Sequence, residues 1–239
     1  MIEREVLGLE NKILSGALLK KTPLSKIKKH KKEYAIKTIV IIGDSVAYGY
    51  GTKEGIAKYL KESFPGSRVI NLGINGLTSD GLVARLTSGF WDLHLSQADL
   101  VLINIGGNDL LQGFRKLGTA GLVRNFKAIR INYRKNLLEI YGKLRELNPE
   151  VLLVQNDLYN SMKKEHQYMG LTKLLYRRWN RSIGERGVII SKTDKMGKNP
   201  GIWLDGIHPN DEGYKLMHEI LIDTLQSTGI VPQQHSNEK

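Results

Sequence analysis

The chain contains no cysteine. Disulfides, thiolate nucleophiles and Cys-ligated metals are therefore excluded, and the absence fits a reducing compartment. No apolar stretch is long enough to span a bilayer. A secretory leader is not evident either. Glu3, Glu5 and Glu10 stand where such a segment is basic, and the apolar piece at 13–19 is short and leads to no clear cleavage site. A cytoplasmic location is the expectation. Internal repeats and low-complexity segments are also missing. Acidic residues are in deficit, with 24 Asp and Glu against 36 Lys and Arg, for a formal charge of +12.

Half of that excess is local. Residues 1–37 hold ten Lys and Arg against four Glu, a net of +6, densest from Lys26 to Lys32. Such a cluster can touch phosphates, anionic lipid or an acidic partner, or can simply be a solvated arm. Val6, Leu7, Leu9, Ile13, Leu14 and Leu18 fit an amphipathic helix loosely, before Pro23 interrupts it. Residues 1–36 read as a basic extension, with 20–37 open to weak contact with an anionic surface and no specific nucleic-acid partner. The remainder is ordinary for a globular domain, with 239 residues, 41% hydrophobic and 25% charged. Residues 37–230 form the domain and 231–239 a polar tail. Nothing fixes the oligomeric state.

The domain is organised around KTIVIIGDS at 37–45. Its run of Ile and Val reads as a short buried strand. Gly43 permits a tight turn, and Asp44 and Ser45 are suited to opening a helix. Further strands are predicted at 68–72, 99–105, 151–154 and 188–190. Helices are predicted at about 53–63, 78–87, 122–147, 171–186 and 211–226. The polar segment 156–170 has no period and suits a loop over a site. This alternation implies a parallel sheet covered on both faces, with the glycine-rich turns converging on one sheet edge.

Those turns carry the parts of an acyl-transfer site. Serine chemistry needs a nucleophile, a base, a group to orient the base, and donors for an oxyanion. Ser45 is the candidate nucleophile, His208 the base and Asp205 its orienting partner. The backbone N–H groups of Ser45 and Gly73, with the Asn108 side-chain amide, are the candidate oxyanion donors. Taken singly, each has a plainer reading. Ser45 suits a helix cap, Gly73 a turn, Asn108 a bond within its own turn, and Asp205 with His208 a loop-stabilising pair. His94, His166 and His218 lack comparable context. No cofactor and no metal is expected.

In order, the blocks are Gly43-Asp44-Ser45, Asn71-Leu72-Gly73-Ile74-Asn75-Gly76-Leu77-Thr78, Gly106-Gly107-Asn108-Asp109 and Asp205-Gly206-Ile207-His208-Pro209. With them the chain resembles the SGNH hydrolases, also called the GDSL esterase/lipase family, over about residues 38–225. Val46 stands where the family's name has leucine. The resemblance implies a three-layer α/β/α, flavodoxin-like fold with sheet order 2-1-3-4-5. It also implies a triad of Ser45, Asp205 and His208, an oxyanion hole of Ser45, Gly73 and Asn108, and ester hydrolysis through an acyl-enzyme.

Substrate is less legible. Phe90, Trp91, Leu111, Phe114, Tyr159 and Trp203 lie near the motif turns and are equally open to lining an acyl pocket or to serving as core or rim. A small-molecule ester of short acyl chain is the favoured substrate, with lysophospholipase or thioesterase activity as the alternative. A non-catalytic anion- or nucleotide-binding flavodoxin-like module is the competing class. It lacks a Walker pattern or a GxGxxG after the first strand, and it leaves Asp205 and His208 unexplained.

Overall fold

The computed structural model describes residues 36–230. The basic extension up to residue 35, with its expected amphipathic helix, and the tail 231–239 lie outside the described residues. Five strands, β1 (Thr38–Gly43), β2 (Arg68–Asn71), β3 (Leu100–Asn104), β4 (Leu152–Asn156) and β5 (Val188–Ser191), form one sheet in the order β2-β1-β3-β4-β5. Every pairing is parallel.

The strand sequences explain the two-sided burial. Side chains alternate across a strand, and in β1 both sets are apolar. Val40 and Ile42 enter a core with Leu82, Trp91, Tyr133, Leu137 and Trp179. Ile39 and Ile41 enter the opposite core with Ile56, Leu60, Tyr214, Met217 and Leu221. The first core is covered by α3 (Ser79–Thr87), α4 (Asp92–Ser96), α5 (Gly107–Leu147) and α6 (Met169–Asn180). The second is covered by α2 (Ile56–Ser63) and α7 (Asp211–Ser227), while α1 (Ser45–Tyr48) is a single turn after β1. Truncating a fully buried side chain such as Ile41 or Leu60 to alanine is worth about 2–5 kcal/mol of stability.

The helical stripe predicted over 122–147 is the rear part of α5. The helix begins earlier, at Gly107, and passes through a break at Gly118, where φ is 64° and ψ −177°. Behind the break, Leu122, Phe126, Tyr133, Leu137 and Leu144 form the core stripe. Ahead of it Leu111 is half-buried and Phe114 and Leu117 are exposed. That front segment shows no core periodicity because much of its apolar surface faces away from the core. The predicted helix at 171–186 is α6, displaced towards its start and shorter, since its chain leaves the helix after Asn180.

At the sheet's carboxyl edge, β1 and β3 approach closely. A Cβ on Gly43, where φ is +136°, would lie 1.9 Å from the Asn104 carbonyl oxygen. The missing side chain lets the Asp44 N–H reach that oxygen at 3.0 Å. Glycine there ends the strand and turns the chain into α1 while staying on the sheet.

Candidate active site

Ser45 is the first residue of α1. Asp44 caps this helix, its Oδ1 accepting the Val46 N–H at 3.0 Å and the Asn104 amide at 3.0 Å. The carboxyl is buried, and burial pushes its pKa up to about 6 against these hydrogen bonds. Asn104 in turn accepts from Asn156 Nδ2 at 3.3 Å, so a line of buried polar side chains ties together the ends of β1, β3 and β4 beneath the serine. Buried polar groups need such partners, and in this line Asn156 Oδ1 is left without one among the described residues.

His208 comes from the loop before α7, 163 residues after Ser45. Its Nε2 is 2.9 Å from Ser45 Oγ, and its Nδ1 is 2.7 Å from Asp205 Oδ2. The tautomer that satisfies both contacts has Nδ1–H donating to the carboxylate and Nε2 accepting from the hydroxyl. Asp205 Oδ1 also accepts the N–H groups of Ile207 at 3.0 Å and His208 at 2.8 Å. Partial burial works to raise the Asp205 pKa, but the bonds from His208 and Ile207 outweigh it and hold the carboxyl below its ordinary value. The Tyr50 ring lies over the imidazole, with centroids 4.4 Å apart.

The loop bearing the pair is braced on several sides. Leu204 N–H donates to the His208 carbonyl at 2.9 Å, and Trp203 bridges Pro209 in antiparallel fashion. Asn210 caps α7 through the Gly213 N–H at 3.0 Å. The aperiodic segment after β4 supplies the outer brace. Tyr159 OH donates to the Ile207 carbonyl at 2.9 Å, Ser161 Oγ donates to the Gly206 carbonyl, and the Tyr159 and Trp203 rings are 4.8 Å apart. Neither tyrosine nor serine carried a signature of this role in the sequence, because the partner carbonyls are about forty-five residues away.

Ser45, Asn108 and His208 line one cleft of about 300 Å3, with Leu111, Leu158, Tyr159 and Tyr176 among its walls. Leu111 and Tyr159 are thus the two apolar candidates that reach it. Trp91 is core, Phe90 and Phe114 are exposed, and Trp203 lines a neighbouring hollow. Asn108 Nδ2 spends one hydrogen on the Leu77 carbonyl at 3.0 Å, and an amide nitrogen carries a second. Asp109, whose carboxyl burial raises in pKa, accepts the Ser79 N–H at 3.0 Å and so fixes this turn to the start of α3.

Gly73 needs correction. Its N–H is donated to Asn71 Oδ1 at 2.9 Å, and Gly73 does not line the cleft. Its lack of a Cβ serves another contact, since a Cβ would lie 2.2 Å from the Tyr48 backbone nitrogen. The same Asn71 donates to the Ala47 carbonyl at 2.8 Å. Gly73 and Asn71 therefore seat α1 against the end of β2. The glycine of this block that does line the cleft is Gly76, with φ +76°. The N–H groups of Gly76 and Ser45 have no hydrogen-bond partner among the described residues. Both glycines stand in one six-residue stretch, and no property of the sequence alone ranks them.

The described residues include no group of three or more His, Asp or Glu placed to hold a metal ion. No helix among them is long and apolar enough to cross a membrane.

The chain is 26% identical over 195 residues to thioesterase 1/protease 1/lysophospholipase L1 of Escherichia coli (strain K12), covering 80% of this chain and 85% of that protein. It is 25% identical over 211 residues to the uncharacterized protein YpmR of Bacillus subtilis (strain 168), covering 80% and 82%. The fold matches the crystal structure of the lipase Lip_vut3 from a goat rumen metagenome with a TM-score of 0.68 at 22% identity, over 78% of this chain and 96% of that one. The profile of the GDSL-like lipase/acylhydrolase family matches residues 41–216, most of the described domain and all four blocks; the chain belongs to that family.

Proposed function

We propose that the protein is a serine hydrolase of carboxylic esters with short acyl chains. The observation that carries this reading is the relay Ser45 Oγ to His208 Nε2 to Asp205, at 2.9 and 2.7 Å, opening into a cleft of about 300 Å3. That volume is at the small end for a ligand pocket.

His208 takes the Ser45 proton as the oxygen attacks the ester carbonyl. The imidazolium that forms is stabilised by Asp205, whose lowered pKa keeps it ionised. Negative charge then develops on the carbonyl oxygen. The Ser45 and Gly76 N–H groups and the second hydrogen of Asn108 Nδ2 converge on the cleft to receive it, Gly76 taking the place first given to Gly73. His208 returns the proton to the departing alcohol. Water, deprotonated by the same imidazole, releases the acid from Ser45. The Tyr50 ring packs against one side of the imidazole, while Asp205 stays open to solvent.

The Escherichia coli relative is named as a thioesterase and lysophospholipase. Long-chain activity of that kind is the alternative the assay separates. Aryl esters of graded acyl length are given to wild type and to Ser45→Ala. The expected result is turnover that falls as the chain outgrows the cleft and that vanishes in the variant. Turnover rising with chain length would overturn the short-chain reading, and wild-type rates from folded Ser45→Ala would overturn the nucleophile.

A further inference from the structure

The cleft has one ionisable group whose charge is not accounted for. Asp44 is buried at its floor and held by Val46 and Asn104. His208 is held between Ser45 and Asp205. Arg115 also lines the cleft, is exposed, and makes no ion pair or hydrogen bond with any described residue. A guanidinium is a planar cation with a fork of N–H donors.

Position makes this more than a stray surface charge. Asn108, Leu111 and Arg115 all line the cleft from α5, at spacings of three and four residues, so they share one helix face. The helix is regular up to its break at Gly118. At a rise of about 1.5 Å per residue, Arg115 stands about 10 Å along the axis from Asn108. Leu111 lies between them. A molecule with its carbonyl at Asn108 would pass an apolar contact and then meet a cation. Asn75 and Ser161, which also line the cleft, are neutral, and the one carboxyl in the lining, Asp44, is held by Val46 and Asn104. A planar fork of donors at that place matches a carboxylate or phosphate, which it can bind through two parallel hydrogen bonds.

We propose that Arg115 is a specificity-determining residue, and that the preferred substrates are esters carrying a carboxylate or phosphate group beyond the scissile carbonyl. This rests on the ester-hydrolase reading and adds the charge class of the substrate to it. The guanidinium binds the anion and takes no part in bond making or breaking.

The test compares isosteric ester pairs. On the acyl side, 4-nitrophenyl hemiglutarate is paired with 4-nitrophenyl glutaramate. On the alcohol side, 4-acetoxybenzoate and 4-acetoxyphenyl phosphate are each paired with 4-acetoxybenzamide, which also separates carboxylate from phosphate. Wild type is expected to favour the charged member of at least one pair by roughly 10-fold or more in kcat/KM, as for a hydrogen bond to a charged group. The preference should shrink with added salt, disappear in Arg115→Gln and reverse in Arg115→Glu. Arg124→Gln, which removes the same charge from an exposed position outside the cleft, should retain it. Equal rates within every pair, or a preference that survives Arg115→Gln, would overturn the proposal. If wild type cleaves none of these esters, the hydrolase reading fails first. Calorimetric titration of Ser45→Ala with the hemiglutarate and glutaramate esters then reads the subsite without turnover, and equal binding of the two would overturn the anion site independently.

Discussion

Removing the Asn108 amide separates its catalytic use from its structural use, because its two hydrogens go to different places. One is bonded to the Leu77 carbonyl at 3.0 Å. A typical net value for such a bond is about 1 kcal/mol. In a domain of this size that corresponds to a Tm shift of roughly 2–4 °C. In the proposed mechanism the other hydrogen meets the substrate in the cleft that Asn108 lines, where it matters only once the carbonyl oxygen has become negative. Loss of one such donor lowers kcat by on the order of 100- to 1000-fold. Asn108→Ala should therefore show a small drop in Tm, a large drop in kcat and little change in KM, because the interaction is made in the transition state. Asn108→Asp should be at least as damaging, since a carboxylate would then face both the Leu77 carbonyl and the developing oxyanion. Steady-state kinetics on a short aryl ester, run beside differential scanning calorimetry, gives both numbers from the same preparation. An alanine variant with lowered Tm and unchanged kcat would refute the oxyanion role and leave Asn108 as a tie between the third block and the residue before Thr78.

Tyr159→Phe removes the hydroxyl that holds the Ile207 carbonyl while keeping the ring against Trp203. Because the held loop carries His208, kcat should fall several-fold with KM nearly constant, by about the worth of one hydrogen bond; a lowered Tm with unchanged kcat would make the contact purely structural. A second expectation concerns pH. Asp44 has its pKa raised by burial from 3.8 to about 6, so the native state holds this proton through a range where the unfolded state has lost it. The contribution of Asp44 to stability should fall as pH rises from about 4 to about 6 and then level off, by up to about 3 kcal/mol for two pKa units. Asp44→Asn keeps an oxygen for Val46 and Asn104, so urea denaturation across this range should show a decline shallower by about one proton; an unchanged slope would show that Asp44 is not its source. Asp157, likewise buried and raised to about 6, and Asp109, also raised by burial, act in the same direction, while His218, lowered to about 4 by burial, opposes them over the same range.

Sequence alone determined the sheet and the contact between Asp205 and His208. Two-sided apolar runs such as TIVII have only one economical use, a parallel strand covered on both faces, and these runs lie in the strands of the observed sheet. Asp205 and His208 were legible because both lie in one short loop, where three residues of spacing suffice to bring Nδ1 to a carboxylate. Ser45 was legible because a strand end and a helix start meet at it. The rest depended on contacts that spacing does not encode. Gly73 and Gly76 are three residues apart, and docking of α1 on β2 engages the amide of Gly73 with Asn71 while leaving that of Gly76 facing the cleft. The front of α5 carried no core stripe, since Leu111 lines the cleft and Phe114 and Leu117 are exposed. Tyr159 and Ser161 reach carbonyls in a loop that only the packed sheet brings beside them. Local pattern reports what a residue does to its own helix or strand; which backbone group or cavity it faces is fixed when the elements pack, and so the place of Gly76 in the cleft, the loop brace and the unpaired guanidinium belong to the tertiary structure.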